Sequence, residues 1–559
     1  MNRTLAFLCA LVCATTVQAQ PETPAYDLVV YGGTAGGVMT AVAAAREGLK
    51  RVVLLEPGTH LGGMATGGLS RTDFGKKEVL GGLALEFYWR VGRKYNIQRY
   101  AQDVAWFYEP KIGEQVLREM LAQAGVEVLL QHRLREKTGV QRSGTRINAI
   151  TMENGKSFAG RMFVDCSYEG DVMAQAGVEY TVGRESSAQY GESLAGVRDR
   201  TPYHQFMVRV NPRDANGKLL PEVDPGPRET PGTGDRKVQA YNFRMIMSEV
   251  PENSVAVPKP PNYDPARYEL FARLLEAMTV KLGRPPVLHE VTLIARIPNG
   301  KADFNNNGAF STDYIGRNWL YPDGDYKTRE KIREDHVNYT KGFFYYLAND
   351  ARVPESLRNE ARGWGLPKDE FTDTENWPHQ LYIREARRMV GEFVVTQKDL
   401  QTELTKPDVI GMGSYNSDSH NIQRIVTADG AVENEGDMQV AVKPYQIPFR
   451  VMLPKRAQST NLLVPVCFSA SHVAYSSLRM EPQYMILGHT AGVAAAMALN
   501  QQAGSPAVQD VPVADLQKKL RAQGAVFDWV PPVVGSEFFR SLFQRFEIDA
   551  GKRALRPGE

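Results

Sequence analysis

The first periodic signal in the chain is Tyr26-Asp27-Leu28-Val29-Val30-Tyr31, a short apolar, β-branched run bounded by polar residues. It has the pattern of a strand buried on both faces of a parallel sheet. The turn Gly32-Gly33-Thr34-Ala35-Gly36-Gly37 follows, and the Ala-rich stretch 38–47 reads as a helix ended by Gly48. Residues 51–56 form a second strand, completing a βαβ unit of about thirty residues. Further strands are expected at 126–130, 147–152 and 162–165, and a helix begins at Pro110 behind Glu109.

From about residue 185 to 406 the pattern loosens. Proline-rich stretches at 221–231 and 251–265 read as loops or extended connections, and the middle part also carries amphipathic helices at 268–281 and 327–349. Regularity returns with a buried strand at 461–466 and a Gly/Ala-rich helix at 482–499, followed by a charged surface helix at 513–522. Gly488, Ala491, Gly492 and Ala495 share one face of the Gly/Ala-rich helix, a surface for close packing on a neighbour. The fold class expected is α/β. A doubly wound, Rossmann-like nucleotide-binding domain is assembled from residues 26–183 and 409–500. A mixed α+β substrate or cap region is inserted at 184–408, and a C-terminal helix and tail occupy 501–559.

The glycine-rich turn carries the first chemistry. Bare backbone there lets a pyrophosphate approach, and the helix start offers unpaired N–H groups with partial positive charge. Glu56, about 20 residues beyond the turn, stands where an acid bonds the ribose hydroxyls of a dinucleotide. The G-x-G-x-x-G fingerprint matches at Gly32 and Gly37, but Thr34 replaces the middle glycine. Gly32, Gly33, Thr34, Ala35, Gly36, Gly37 and Glu56 are thus expected to bind a dinucleotide, NAD or FAD alike. A second segment, His60-Leu61-Gly62-Gly63-Met64-Ala65-Thr66-Gly67-Gly68, favours FAD and adds Gly62, Gly63 and Met64 to the contacts.

At this point the chain resembles the FAD-dependent oxidoreductases of the glutathione-reductase-like superfamily. More narrowly, it resembles a secreted bacterial family within them, some of whose members carry a xanthan-lyase-associated label. The resemblance extends over most of the chain: the opening 26–37, the strand-end segment 165–171, stretches at 298–305 and 382–389, and the C-terminal segments 461–474 and 479–482. It implies bound FAD and names no substrate. It also implies that the C-terminal strand–loop–helix passes beside the isoalloxazine ring, so the stretch 467–481 is expected to be a loop lining the reaction chamber. Asp165, at a strand end, and Gly488, on the helix, join the expected cofactor contacts.

Composition narrows the class. Lys+Arg of 66 against Asp+Glu of 64 leaves a net charge of +2, which argues against a nucleic-acid partner. Of four cysteines, Cys9 and Cys13 lie in an apolar N-terminal run. Cys166 and Cys467 cannot supply the four thiolates of an iron–sulfur cluster, and no metal site is expected. Arg3, the apolar residues 5–12 and Val17-Gln18-Ala19 read as a signal peptide cleaved after Ala19, so a periplasmic or secreted protein is expected. No later run is long and apolar enough to span a membrane.

Three residues are expected to do the chemistry. His472, in the 467–481 stretch, ranks first as the base that takes a substrate proton while hydride moves to flavin N5. Arg479 ranks second, binding an acidic substrate or the flavin carbonyls unless it pairs with Glu481, and His420 is a second base candidate. Arg384, Arg387 and Arg388 are read on one helix with Glu385, and the Asn305-Asn306-Asn307 cluster as a turn. The leading functional reading is an exported FAD-dependent oxidoreductase acting on a small polar molecule, a carbohydrate-derived alcohol being the best match, with an unidentified electron acceptor. A redox-neutral flavin enzyme and a non-catalytic binding protein of the same fold remain as alternatives.

Overall fold

The computed structural model describes residues 26–100, 103–225, 227–500 and 507–530. The expected signal peptide and most of the C-terminal tail lie outside them. Strand β1 (Tyr26–Tyr31), helix α1 (Ala35–Arg46) and strand β2 (Val52–Leu55) form the βαβ unit expected. Residues Leu28 to Tyr31 of β1 are at most 2% exposed, so this strand is covered on both faces, as its unbroken apolar run requires.

Helix α2 (Pro110–Ala124) leads into β3 (Glu127–Leu129), and β4 (Val140–Ser143), β5 (Arg146–Thr151) and β6 (Ser157–Asp165) follow as a meander. The sheet runs β3-β2-β1-β6-β5-β4. β1 pairs in parallel with β2 (Tyr31 opposite Leu55) and with β6 (Tyr31 opposite Asp165), and β2 pairs in parallel with β3. The parallel strands therefore end together, and the loops after Tyr31, Leu55 and Asp165 gather at one edge, the usual ligand-binding edge of such sheets.

The middle of the chain adds an antiparallel sheet of β7 (Met245–Ser248), β8 (Thr292–Ile297) and β9 (Lys301–Asn306), with β9 central. Asn305 and Asn306 belong to β9, so the turn expected for them is corrected: their backbone is committed to pairing with Leu293 and Thr292. Helix α3 (Tyr326–Asn349) buries aromatic residues beside this sheet, including Tyr339 stacked on Tyr314 at 4.1 Å between ring centroids.

The helix expected around Arg384–Arg388 is also corrected. Only Arg388–Met389 is regular, as a two-residue strand paired with Tyr180–Thr181. Arg384 and Arg388 are 1% and 0% exposed, pinned by Asp313 and by Glu185 and Glu385. Buried carboxylates, not helical spacing, organise this run.

Near the C-terminal end, β10 (Leu462–Leu463) pairs in parallel with Phe163 and Val164, so the sheet takes strands from distant parts of the chain. Helix α4 (His472–Leu478) and helix α5 (Glu481–Asn500) follow. The small-residue face of α5 lies on α1: a Cβ on Gly492 would fall 2.3 Å from the Thr40 carbonyl oxygen. Among the described residues, no helix is long and apolar enough to cross a membrane.

Candidate functional site

The shared strand edge opens into a groove of about 330 Å³. Gly32 lines it with φ +97°, and a Cβ there would meet Ser167 N at 2.6 Å, so only glycine lets β1 leave the sheet this close to the loop after β6. Gly37 must also stay bare, since its Cβ would lie 1.9 Å from the Gly32 carbonyl oxygen. Thr34 replaces the middle glycine without strain because it is the N-cap of α1. Its hydroxyl accepts from Gly37 N–H (3.1 Å) and donates to the Cys166 carbonyl (2.9 Å). Ala35 and Gly36 are buried in the first turn of the helix.

Glu56 closes one end of the groove. Its carboxylate accepts N–H bonds from Gly33 and Gly58, both at 2.6 Å, and burial pushes its carboxyl up to about 7 despite them. The second glycine segment returns to the first: Gly62 N–H donates to the Gly33 carbonyl at 2.7 Å. Met64 N–H donates to the Tyr168 hydroxyl (2.8 Å), which in turn donates to Glu481 (2.6 Å). The bare glycine cradle, helix start and buried acid fit a bound dinucleotide. Sequence reasoning missed His60 and His379, which also line this groove. Nothing in the spacing of two histidines so far apart marks them as neighbours.

A second cavity, of about 370 Å³, adjoins the first: Gln380 and Leu381 line the groove, and Tyr382 lines the cavity. Arg479 and His420, two of the three expected chemical residues, face into this cavity. Arg479 does not pair with Glu481. It donates to the Asp418 carbonyl (2.8 Å) and the Tyr382 hydroxyl (3.3 Å), and its buried Nε has no acceptor. His420 Nδ1 lies 2.7 Å from Asp313 Oδ2, and Arg384 approaches the other Asp313 oxygen at 2.9 Å. Burial raises Asp313, but Arg384 and His420 outweigh it and hold the carboxyl below its usual range. Burial and the Arg384 charge push His420 down to about 4.

Three further lining residues escaped the sequence. Asp73 is raised by burial. Arg244 is paired with Asp303 at 2.7 and 2.9 Å. His204 stacks 6.0 Å from His420 and holds a left-handed φ of +46°. They sit on irregular segments without periodicity, and only the fold brings them together.

His472 does not meet its expectation. Ser471 caps α4 by accepting from Ala474 N–H (3.2 Å), so the presumed loop is helical from His472 on. The ring is buried with Nδ1 2.8 Å from Glu385, its backbone N–H donates to Glu185, and it lines neither cavity. Asp165 is likewise turned inward. It is 0% exposed and accepts from Ser167 Oγ (2.7 Å), Ser167 N–H (3.1 Å) and Met173 N–H (2.9 Å), which shapes the loop after β6. Gly488 contacts α1 and not the groove.

The chain matches the family described as "FAD dependent oxidoreductase" over residues 27–520. No curated protein matches it. Among solved structures it is similar to the L-amino acid deaminase from Proteus vulgaris, at 15% identity and a TM-score of 0.23, over 31% of this chain and 54% of that one. It is also similar to a flavoprotein/dehydrogenase from Cytophaga hutchinsonii (17% identity, TM-score 0.20, 29% and 44%). A third is a flavin monooxygenase from Stenotrophomonas maltophilia (16%, 0.18, 25% and 38%). The chain spans about half the length, or less, of each of these three.

Proposed function

The chain belongs to the FAD dependent oxidoreductase family, and from that premise we propose an exported enzyme that oxidises a carbinol of a small polyhydroxylated molecule, a carbohydrate-derived alcohol fitting best. The observation that carries this reading is the balance of donors and acceptors in the second cavity. Arg244 is already paired with Asp303, and Arg384 behind the wall with Asp313. Asp73 and Asp418 line the cavity beside Arg71 and Arg479, and the Tyr415 hydroxyl donates to Asp418 (3.4 Å); the buried Asn306 Oδ1 still lacks a donor and Arg479 Nε an acceptor. Hydroxyl groups supply both, and a bare carboxylate supplies only acceptors.

FAD, when bound, would supply the two-electron acceptor for the hydride of the carbinol carbon. Gly32, Gly33, Thr34, Ala35, Gly36, Gly37, Glu56, Gly62, Gly63 and Met64 would hold it. His420 takes the hydroxyl proton. Ionised Asp313 only accepts, so His420 Nδ1 carries the hydrogen between them and Nε2 keeps its lone pair for the substrate. The carbinol loses its C–H as hydride and its O–H as a proton, and becomes a carbonyl. Arg479 and the Tyr382 hydroxyl, which line the same cavity, would hold the oxygen during the transfer. The charged, apolar and small-residue pattern before Gln20 supports export.

Anaerobic mixing of the holoprotein with separate panels of sugars and polyols, amino acids, and hydroxy acids tests the reading. Bleaching of the visible flavin band by the polyol panel is expected. Bleaching confined to the amino acids, or product formed without bleaching, overturns it.

A further inference from the structure

On the wall of the FAD groove, His60 and His379 meet face to face, with ring centroids 4.0 Å apart and planes 9° from parallel. The two rings are in opposite situations. His60 is held at both nitrogens by carboxylates, Nδ1 by Glu114 at 3.0 Å and Nε2 by Asp373 at 2.9 Å. Two carboxylates can both accept only if both nitrogens carry hydrogens, so the Glu114 and Asp373 contacts favour the imidazolium and raise His60 above its ordinary range. His379 has both ring nitrogens buried and no partner for either among the described residues. Burial and the cation stacked against it keep it neutral. A neutral imidazole still carries one donor and one acceptor, and burying both without partners is costly.

His132, His204 and His336 each leave one ring nitrogen buried without a partner, but among the described histidines only His379 leaves both. A second ring neighbour of His379, Phe371, stands 5.6 Å away with its plane 74° from that of the imidazole, and brings no nitrogen or oxygen. The position of the ring narrows what can satisfy it. A Cβ on Gly67 would lie 3.2 Å from His379 Nε2, so this nitrogen stands over the second glycine segment.

We propose that His379 is a FAD-binding residue: its imidazole, seated on the charged His60, hydrogen-bonds an oxygen of the ribityl–pyrophosphate chain. The charge beneath it strengthens its N–H as a donor and adds positive potential where the cofactor carries its phosphates. A free nitrogen on a rigid platform also explains why two histidines from distant loops are brought into register.

The test uses purified holoprotein, with FAD as the probe, and two variants. His379→Phe keeps a ring to stack on His60 but has no nitrogen, and His379→Ala removes both features. FAD release measured by serial ultrafiltration should show at least about tenfold weaker binding in both variants. The unfolding midpoint of His379→Phe stripped of FAD should be unchanged or higher than wild type, because a buried unpartnered group has been removed while the ring is kept. The rise in midpoint on adding FAD should shrink. Wild-type FAD affinity in His379→Phe overturns the proposal, as does an equal loss of stability with and without FAD, which would mark the ring as structural.

Discussion

A Cβ placed on Gly488 in α5 would lie 2.0 Å from the carbonyl oxygen of Gly36 in α1. The two helices touch backbone to backbone at the glycine turn that opens α1. Packing of the C-terminal helix and the geometry of that turn are therefore a single constraint.

Gly488→Ala is expected to destabilise the protein by roughly 1–3 kcal/mol, the range for overpacking against atoms that cannot swing away. Because the displaced element is α1, FAD content should fall with the melting temperature. Thermal unfolding followed by both flavin fluorescence and circular dichroism checks this, and an unaltered midpoint would contradict it.

Glu56→Ala should weaken FAD binding by roughly 1–3 kcal/mol, the cost of losing hydrogen bonds to a charged group. Burial raises the Glu56 carboxyl to about 7, so its acceptor form is depleted as pH falls below that value. Wild-type affinity for FAD should decline from pH 8 to pH 6, and Glu56→Gln should flatten that decline. Titration with FAD across this range gives both results.

His420→Ala and Asp313→Asn should each slow substrate-dependent flavin bleaching by roughly 10²–10⁴ while leaving the protein yellow. The first removes the base, and the second frees the ring from its tautomer. Since His420 is lowered to about 4, the acid limb of the wild-type rate should appear near pH 4 and not near 6.5. Stopped-flow reduction over pH 4–8 measures it, and a limb near 6.5 would point to another base.

Glu481 is 1% exposed, and burial pushes its carboxyl up to about 8. The folded state therefore keeps a proton that the unfolded chain loses near its ordinary value. The stability this proton confers is complete below about pH 4.5 and is lost as pH rises through 8. Glu481→Gln, which imitates the protonated acid, should match wild type near pH 5 and exceed it by roughly 1–3 kcal/mol near pH 9. Melting temperatures at the two pH values decide the matter.

The strand–turn–helix–strand geometry at the groove was legible in the sequence because its parts are local. A buried strand, a glycine turn, a helix and an acid follow one another within one segment, and Gly32, Thr34 and Glu56 line the groove at its end. The same holds for α5, whose small residues repeat at helical intervals because they must lie on another backbone. The stretch around His472 departs from the expected loop for a reason just as local. The Ser471 cap makes a helix of the stretch expected as a loop, and the ring turns away to Glu385.

The sequence by itself determined the βαβ unit, the cradle for a dinucleotide and the close-packing face of α5, since each is written in periodicity or in contiguous residues. Only the tertiary structure decided the second cavity and the histidine stack. Asp313 reaches His420 across 107 residues, and His60 reaches Asp373 across 313. A hydrogen bond or ring stack between isolated side chains on irregular loops imposes no repeat on the chain. It exists only once sheet, helices and loops have closed around it.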